Sequence, residues 1–160
     1  MKEVVKMPYL NSTEERRIRK ILDNLAEKNG LSSDKKEIYF SGFYVDRVWY
    51  KVLEKIKIPL VAFEIERGIP SNERLRKDIL NIVWTKAPIG YIILPHRRIL
   101  ADPEVKKGST WPNWYKNHFF RTFKEYQNPF IFYCEIKIID VDKLLTSRSL
   151  SKSLVRFKDK

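Results

Sequence analysis

Three acidic side chains in the first half of the chain stand at spacings that could gather them on one face of a β-sheet. Asp46 lies in Tyr44-Val45-Asp46-Arg47-Val48-Trp49-Tyr50, and Glu64 and Glu66 lie in Val61-Ala62-Phe63-Glu64-Ile65-Glu66. Side chains alternate along a strand, so Glu64 and Glu66 share one face, and Asp46 shares a face with Tyr44, Val48 and Tyr50. A hairpin turning near Lys55 sets Asp46 directly opposite Glu64. Neighbouring carboxylates on a sheet repel each other, and a bound cation is one explanation for keeping them together. Oxygen ligands alone favour Mg²⁺ or Mn²⁺ over zinc. The other explanation, a half-exposed sheet face whose acids are neutralised by nearby Arg or Lys, also fits an acid-x-acid pair on a strand.

The elements needed to position these acids can be read from the pattern around them. Ser12-Thr13-Glu14-Glu15 predicts a helix start with a capping box. Ile18, Ile21, Leu22, Leu25 and Ala26 follow at helical spacing, and Asn29-Gly30 ends the helix, giving a helix over about 13–28. Residues 37–51, aromatic and β-branched around Ser41-Gly42, predict two short strands or one bulged strand. Ile58–Glu66 predicts a further strand, with Pro59 near its entry. Ser71 can cap a helix carrying Leu75, Ile79, Ile82 and Val83 on one stripe, and Pro88 stops it before a strand over Ile89–Leu94. A basic loop (95–108), an aromatic and basic helix near 113–126, a strand over Phe130–Ile139 and a Ser/Lys/Arg-rich tail complete the chain. With no internal repeat and no linker, this predicts one α/β domain: a core over about 13–95, a basic aromatic extension over about 96–145 and a basic tail over about 146–160.

The order α, β, β, β, α, β, with Asp46 on the second strand and Glu64-Ile65-Glu66 on the third, resembles the PD-(D/E)XK, or restriction-endonuclease-like, nuclease superfamily. The likeness covers roughly residues 13–95 through short, degenerate motifs. It implies an αβββαβ core with a mixed central sheet, here with a C-terminal helix-strand extension. It also implies Asp46 and Glu64 as ligands of one or two divalent cations, Glu66 as a third ligand or a group orienting water, and hydrolysis of phosphodiester bonds in nucleic acid. DNA is favoured over RNA by that resemblance alone.

The chain departs from the family pattern in two places. No proline precedes Asp46, and Glu66 stands where lysine is expected. Some members carry Glu there, and in others the basic group comes from the next helix. Arg76, about 100° from Leu75 on a helical wheel, is the expected substitute, as an electrostatic clamp because arginine does not deprotonate. Glu14 occupies the place on the first helix where many members carry a further acid, although capping and the helix dipole account for it equally well.

A competing site is spelled by Glu135-Ile136-Lys137, a literal acid-x-Lys on an apolar strand, or Lys137 alone could supply the missing base. Its surroundings are poorer, because too little chain follows for another helix and strand. His96 and His118 lack the spacing of metal ligands. Cys134, the one cysteine, has no partner for an internal disulfide and reads as a packing residue.

Thirty-two Lys and Arg against 20 Asp and Glu give a formal charge of +12, a field that attracts a polyanion. Arg97, Arg98, Lys106, Lys107, Lys116 and Arg121 are the expected phosphate contacts. Trp111, Trp114, Tyr115, Phe119 and Phe120 interleave with the basic residues, suited either to base stacking or to packing an amphipathic helix on the sheet. No run approaches the roughly 18 apolar residues of a spanning helix, and the N-terminus has no signal-peptide core, so no membrane partner and a cytoplasmic location (the host's, if viral) are expected. A single glutamine beside abundant Lys, Glu, Ile and Tyr leans towards a thermophile. The sequence therefore points to an Mg²⁺- or Mn²⁺-dependent nuclease, endo- or exo-acting. A non-catalytic nucleic-acid-binding protein is the alternative and an assembly protein of a virus or mobile element a third class. A homodimer is left open.

Overall fold

The alternation between residues 43 and 65 folds, in a computed structural model, into a long antiparallel hairpin that organises everything else. The structure describes residues 10–34, 38–40, 43–95, 110–115, 117, 134–141 and 144. In chain order the elements are α1 (Ser12–Lys28), β1 (Ser32–Ser33), β2 (Ile38–Phe40), β3 (Phe43–Val45), β4 (Arg47–Leu53), β5 (Ile56–Ile65), α2 (Asn72–Trp84), β6 (Ile89–Leu94) and β7 (Glu135–Asp140). Five strands form one mixed sheet in the order β1-β4-β5-β6-β7, while β2 and β3 pair with each other in a separate ladder. The chain is thus α/β with a mixed five-stranded sheet. β1 pairs antiparallel with β4 and β4 with β5, whereas β5, β6 and β7 run parallel.

Helix α1 lies on one face of the sheet and α2 on the other, because β5 and β6 are apolar on both faces. Phe63, Ile65, Tyr91 and Ile93 pack with Ile18, Leu22 and Ala26 of α1. Ala62, Ile92 and Leu94 pack with Leu75, Ile79 and Ile82 of α2, joined by Val48 of β4. By the same alternation Glu64 points to the α2 side.

The hairpin register is the one that brings Asp46 opposite Glu64. Arg47 pairs with Phe63, Val48 with Ala62 and Trp49 with Val61, so the next pair outward is Asp46 and Glu64. Beyond Trp49 a bulge shifts the register, Tyr50 pairing with Pro59, and the ladder closes at Leu53 and Ile56. The turn is therefore Glu54-Lys55, with Glu54 in the left-handed region (φ 56). It is one residue tighter than a turn centred on Lys55, and the bulge returns that residue before the site is reached.

Other expectations shift in detail. Asn11, not Ser12, caps α1, and it forms the capping box with Glu14. Ser71 caps α2 by accepting from Arg74 N–H. Residues 37–51 yield three strands, with a bend at Asp46 between β3 and β4. The short β1 was not anticipated, since two serines carry no strand pattern; its place is fixed by pairing with Trp49 and Tyr50. Of the extension, residues 111–115 are helical and β7 spans Glu135–Asp140. The rest of the extension and the tail over 146–160 lie outside the described residues. Among the described residues no helix is long and apolar enough to cross a membrane.

Helix α2 approaches β6 closely because Gly90 lies beneath it. A Cβ at Gly90 would stand 2.3 Å from Ile82 Cγ2 and 2.9 Å from Ile136 Cδ1. Gly90→Ala is therefore expected to force α2 off the sheet, costing about 1–3 kcal/mol, or roughly 3–10 °C in Tm for a chain of this size. A thermal melt indistinguishable from wild type would show that the close approach does not constrain α2.

Candidate functional site

Four acids converge between the end of the β4–β5 hairpin and α2. Relative exposure is 9% for Asp46, 4% for Glu64, 7% for Glu66 and 0% for Asp78. Asp46 sits at the bend leading into β4, where its Oδ2 accepts a hydrogen bond from Ile65 N–H at 2.8 Å. Its Oδ1 accepts from the Arg19 guanidinium, which also donates to the Asp46 carbonyl at 3.2 Å. Arg19 reaches Asp46 from α1, on the other side of the sheet, and is itself held by Glu15 at 2.8 Å. Glu15 in turn meets Arg67 at 2.5 Å. Burial alone would raise the Glu15 pKa, but the two arginines outweigh it and hold the carboxyl below its ordinary value.

Glu64 is held from α2, with Asn81 Nδ2–H donating to its Oε1 at 2.8 Å. Burial, and then the charge of Asp46, push the Glu64 pKa up to about 10. Glu66 Oε1 accepts from Arg74 Nε at 3.2 Å. Arg74 Nε also lies 3.4 Å from Asp78 Oδ1. Burial, followed by the neighbouring Glu66, pushes Asp78 up to about 9. Neither oxygen of Asp78 nor Oδ1 of Asn81 has a hydrogen-bond partner. Such buried acceptors without donors are costly unless something else meets them.

The charge count follows directly. Four buried carboxylates face two guanidiniums in ion pairs with them, Arg19 and Arg74, so full ionisation would leave an excess negative charge of about two among the described residues. Without a further cation the chain can meet this only by keeping protons on Glu64 and Asp78. A divalent cation would remove the same excess.

Not every expected residue joins the cluster. Asp46, Glu64 and Glu66 do. Arg76 is exposed on α2, and the guanidinium that pairs with Glu66 and Asp78 belongs to Arg74. Residues 74 and 76 flank Leu75 by equal and opposite angles on the helix, so burial of Leu75 cannot choose between them; the position of the sheet's acids does. Glu14 is taken up by the cap, its Oε2 accepting from Asn11 N–H at 2.8 Å. The neighbouring Glu15 is the acid that α1 turns towards the site.

Glu135 and Lys137 lie 3.8 Å apart on β7, two strands from β5. Lys137 pairs with Tyr91 and lies 5.8 Å from its ring centroid, on the α1 face. It therefore supplies no base to Glu64. Asp78, Asn81 and Arg74 were missed. Their signal was present: Arg74, Asp78, Asn81 and Thr85 form a polar stripe at i, i+4, i+7 and i+11 beside the apolar stripe of α2.

Arg97, Arg98, Lys106, Lys107, Lys116 and Arg121 lie outside the described residues, as do His96, His118, Phe119 and Phe120. Of the aromatic segment, Trp111, Trp114 and Tyr115 pack edge-on or tilted against one another. Tyr115 is buried and donates its hydroxyl proton to the Pro70 carbonyl, tying this helical turn to the entry of α2. This matches packing on the core rather than a free stacking face for Tyr115. Cys134 is partly buried in the same layer.

No three or more His, Cys, Asp or Glu among the described residues form a ready-made metal-ligand group. The acids instead fall into two pairs, Asp46 with Glu64 and Glu66 with Asp78. One or two carboxylates completed by water is the usual way a protein holds Mg²⁺. The donor set, all oxygen, fits such an ion. No family model, curated protein or solved structure matches the chain.

The buried acids set a pH dependence. A raised folded pKa means that the folded state holds the extra proton between the unfolded value of 4.5 and about 10 for Glu64, and between 3.8 and about 9 for Asp78. Stability linked to these groups is thus full below the lower values and lost as pH rises towards the higher ones. In chelator, Tm should fall from about pH 5 to about pH 9, and Glu64→Gln or Asp78→Asn should flatten that fall and raise Tm at the alkaline end. Melts that fall in parallel for wild type and variants would show that these carboxyls are not held protonated.

Proposed function

We propose that the chain is a metal-dependent nuclease that hydrolyses phosphodiester bonds, with Mg²⁺ or Mn²⁺ held by Asp46 and Glu64. The observation that carries this reading is the opposition of Asp46 and Glu64 in a buried cluster with more carboxylate than guanidinium, within a chain of net charge +12. The excess calls for a cation, and the surrounding charge attracts a polyanionic substrate. A sheet with α1 on one face and α2 on the other, and the acids on its central hairpin, agrees with the restriction-endonuclease-like resemblance. DNA is the favoured substrate on that resemblance alone.

In this reading Asp46 and Glu64 would hold the ion, which when bound would supply positive charge beside the scissile phosphate and a more acidic water. The chain's own residues do the rest. Ile65 N–H and Arg19 fix the Asp46 carboxylate, and Asn81 fixes Glu64, so both ligands are pre-aimed. Glu66 orients water or adds an oxygen. Arg74, half-exposed, can turn its guanidinium outward to a phosphate oxygen while its Nε remains on Glu66. The non-catalytic alternative is favoured by one observation: Arg19 and Ile65 N–H engage both oxygens of Asp46. Each carboxylate oxygen nevertheless accepts more than one partner, so a ligand position remains.

Cleavage of linear duplex DNA should require Mg²⁺ or Mn²⁺, stop in chelator, and be poorly supported by Ca²⁺. Asp46→Ala or Glu64→Ala should lower cleavage by at least about 10³-fold with DNA affinity retained, whereas Glu135→Ala should cut as wild type. Glu64→Ala cutting at the wild-type rate would remove the assignment, and a wild type that binds but never cuts would establish the binding-protein alternative.

DNA should be held at low salt and released steeply as salt rises, the log–log slope growing by about 0.9 for each neutralised phosphate. Affinity that ignores salt would be inconsistent with a charge-driven partner. Adding Mg²⁺ to chelated protein at neutral pH should raise Tm in wild type and not in Asp46→Ala, a cation readout that does not depend on catalysis.

A further inference from the structure

The β4–β5 hairpin runs well past the strands on either side of it. β1 pairs with β4 only at Trp49 and Tyr50, and β6 pairs with β5 only over Val61–Ile65. From Lys51 to Ile58 every residue is exposed. The exposure falls on large apolar side chains: Val52 55%, Leu53 63%, Ile56 65% and Ile58 39%. Leu53 faces Ile56 across the ladder and Lys51 faces Ile58. Cross-strand partners share a face, so Leu53, Ile56 and Ile58 make an apolar ridge at the tip. The same eight residues carry Lys51, Lys55 and Lys57 against Glu54.

A solvent-exposed apolar ridge on a protruding, unpaired hairpin marks a contact surface. Its charge decides between partners. Three lysines to one glutamate, on a chain of +12, repel a second copy and attract a polyanion. Lys57 lies 3.4 Å from Asp34 and over the Tyr50 ring, while Lys55 is exposed at the turn and Lys51 is exposed on the ridge side. Leu and Ile side chains flanked by basic residues are what architectural proteins push between base steps.

We propose that the hairpin tip is a wedge for double-stranded nucleic acid, with Leu53 and Ile56 entering a base step while Lys51 and Lys55 meet the flanking phosphates. The proposal rests on the nucleic-acid partner of the reading above and not on hydrolysis. Ile56 lies eight residues along β5 from Glu64, or roughly 25 Å at about 3.3 Å per residue.

The test uses the full chain in chelator at low salt, so that no cleavage occurs, with short duplexes carrying 2-aminopurine at successive positions. Wild type should raise the fluorescence at one or two adjacent positions, the signature of unstacking. The double variant L53S/I56S should melt as wild type, bind about tenfold more weakly and give no rise. A wild type that binds without a rise at any position overturns the wedge, as does a rise that survives in the double variant. Sedimentation provides the other arm: a wild-type dimer that the double variant converts to monomer, with DNA binding unchanged, assigns the tip to a second copy instead. Unstacking without cleavage in Mg²⁺ would remove only the nuclease reading. Cleavage without unstacking would remove only the wedge, and a protein that binds no duplex would remove both.

Discussion

Burying four carboxylates in one place is the constraint that the rest of this structure answers. Taking an ionised carboxylate out of water costs several kcal/mol even after relaxation, so each acid must find a donor, a cation or a proton. Asp46 has Ile65 N–H and Arg19; Glu64 has Asn81 and a raised pKa; Glu66 has Arg74; Asp78 shares the same Arg74 Nε and has a raised pKa. These partners come from α1, from β5 and from α2, which together account for the two helices lying on opposite faces of one hairpin. An apolar cluster would have been simpler to fold, and Ile79 and Ile82, one position from Asp78 and Asn81, show that α2 packs apolar side chains well. Under the proposed reading the polar stripe is what stability gives up to bind an ion.

Precision at the cluster depends on two backbone features remote from it. The bulge between Trp49 and Tyr50 converts the register of a two-residue turn into the register that opposes Asp46 and Glu64. Without it, a one-residue slip would carry a side chain of the opposite face to that position. Gly90 lets Ile82 sit almost on β6, and so lowers the preceding residue, Asn81, to hydrogen-bonding distance of Glu64. Each is a local departure from ideal geometry, and each acts on the same pair of side chains.

Much of this could be read from the sequence, because the dominant signals are periodic. Both helices, the strand over Ile89–Leu94 and the opposition of Asp46 and Glu64 follow from apolar spacing and from the alternation of a strand. What escaped was set by choices that periodicity leaves equal. Arg74 and Arg76 are symmetric about Leu75, and only the location of Glu66 breaks the tie. Asn11 and Ser12 are both good caps, and the position of Glu14 three residues after Asn11 decides for the former. Asp78 and Asn81 lay in plain view as a polar stripe, but a polar residue beside a buried stripe ordinarily faces water. Only the acids of the facing strand make it an inward one.

The substitution of Glu66 for the lysine expected there changes the chemistry that the proposed site can perform. A lysine at that position could both attract a phosphate and, with a lowered pKa, accept a proton. Here the two tasks are separated. Arg74 supplies fixed positive charge, since its guanidinium keeps its proton and its pKa is held up by Glu66 and Asp78 against the opposing effect of burial. It can stabilise charge but not remove a proton from water. In the proposed site proton acceptance must then fall to a carboxylate, and Glu66 is the acid paired with Arg74, whereas burial pushes Glu64 and Asp78 towards their protonated forms. The pair Glu66–Arg74 thus stands in for one residue with two, joined across the gap between strand and helix.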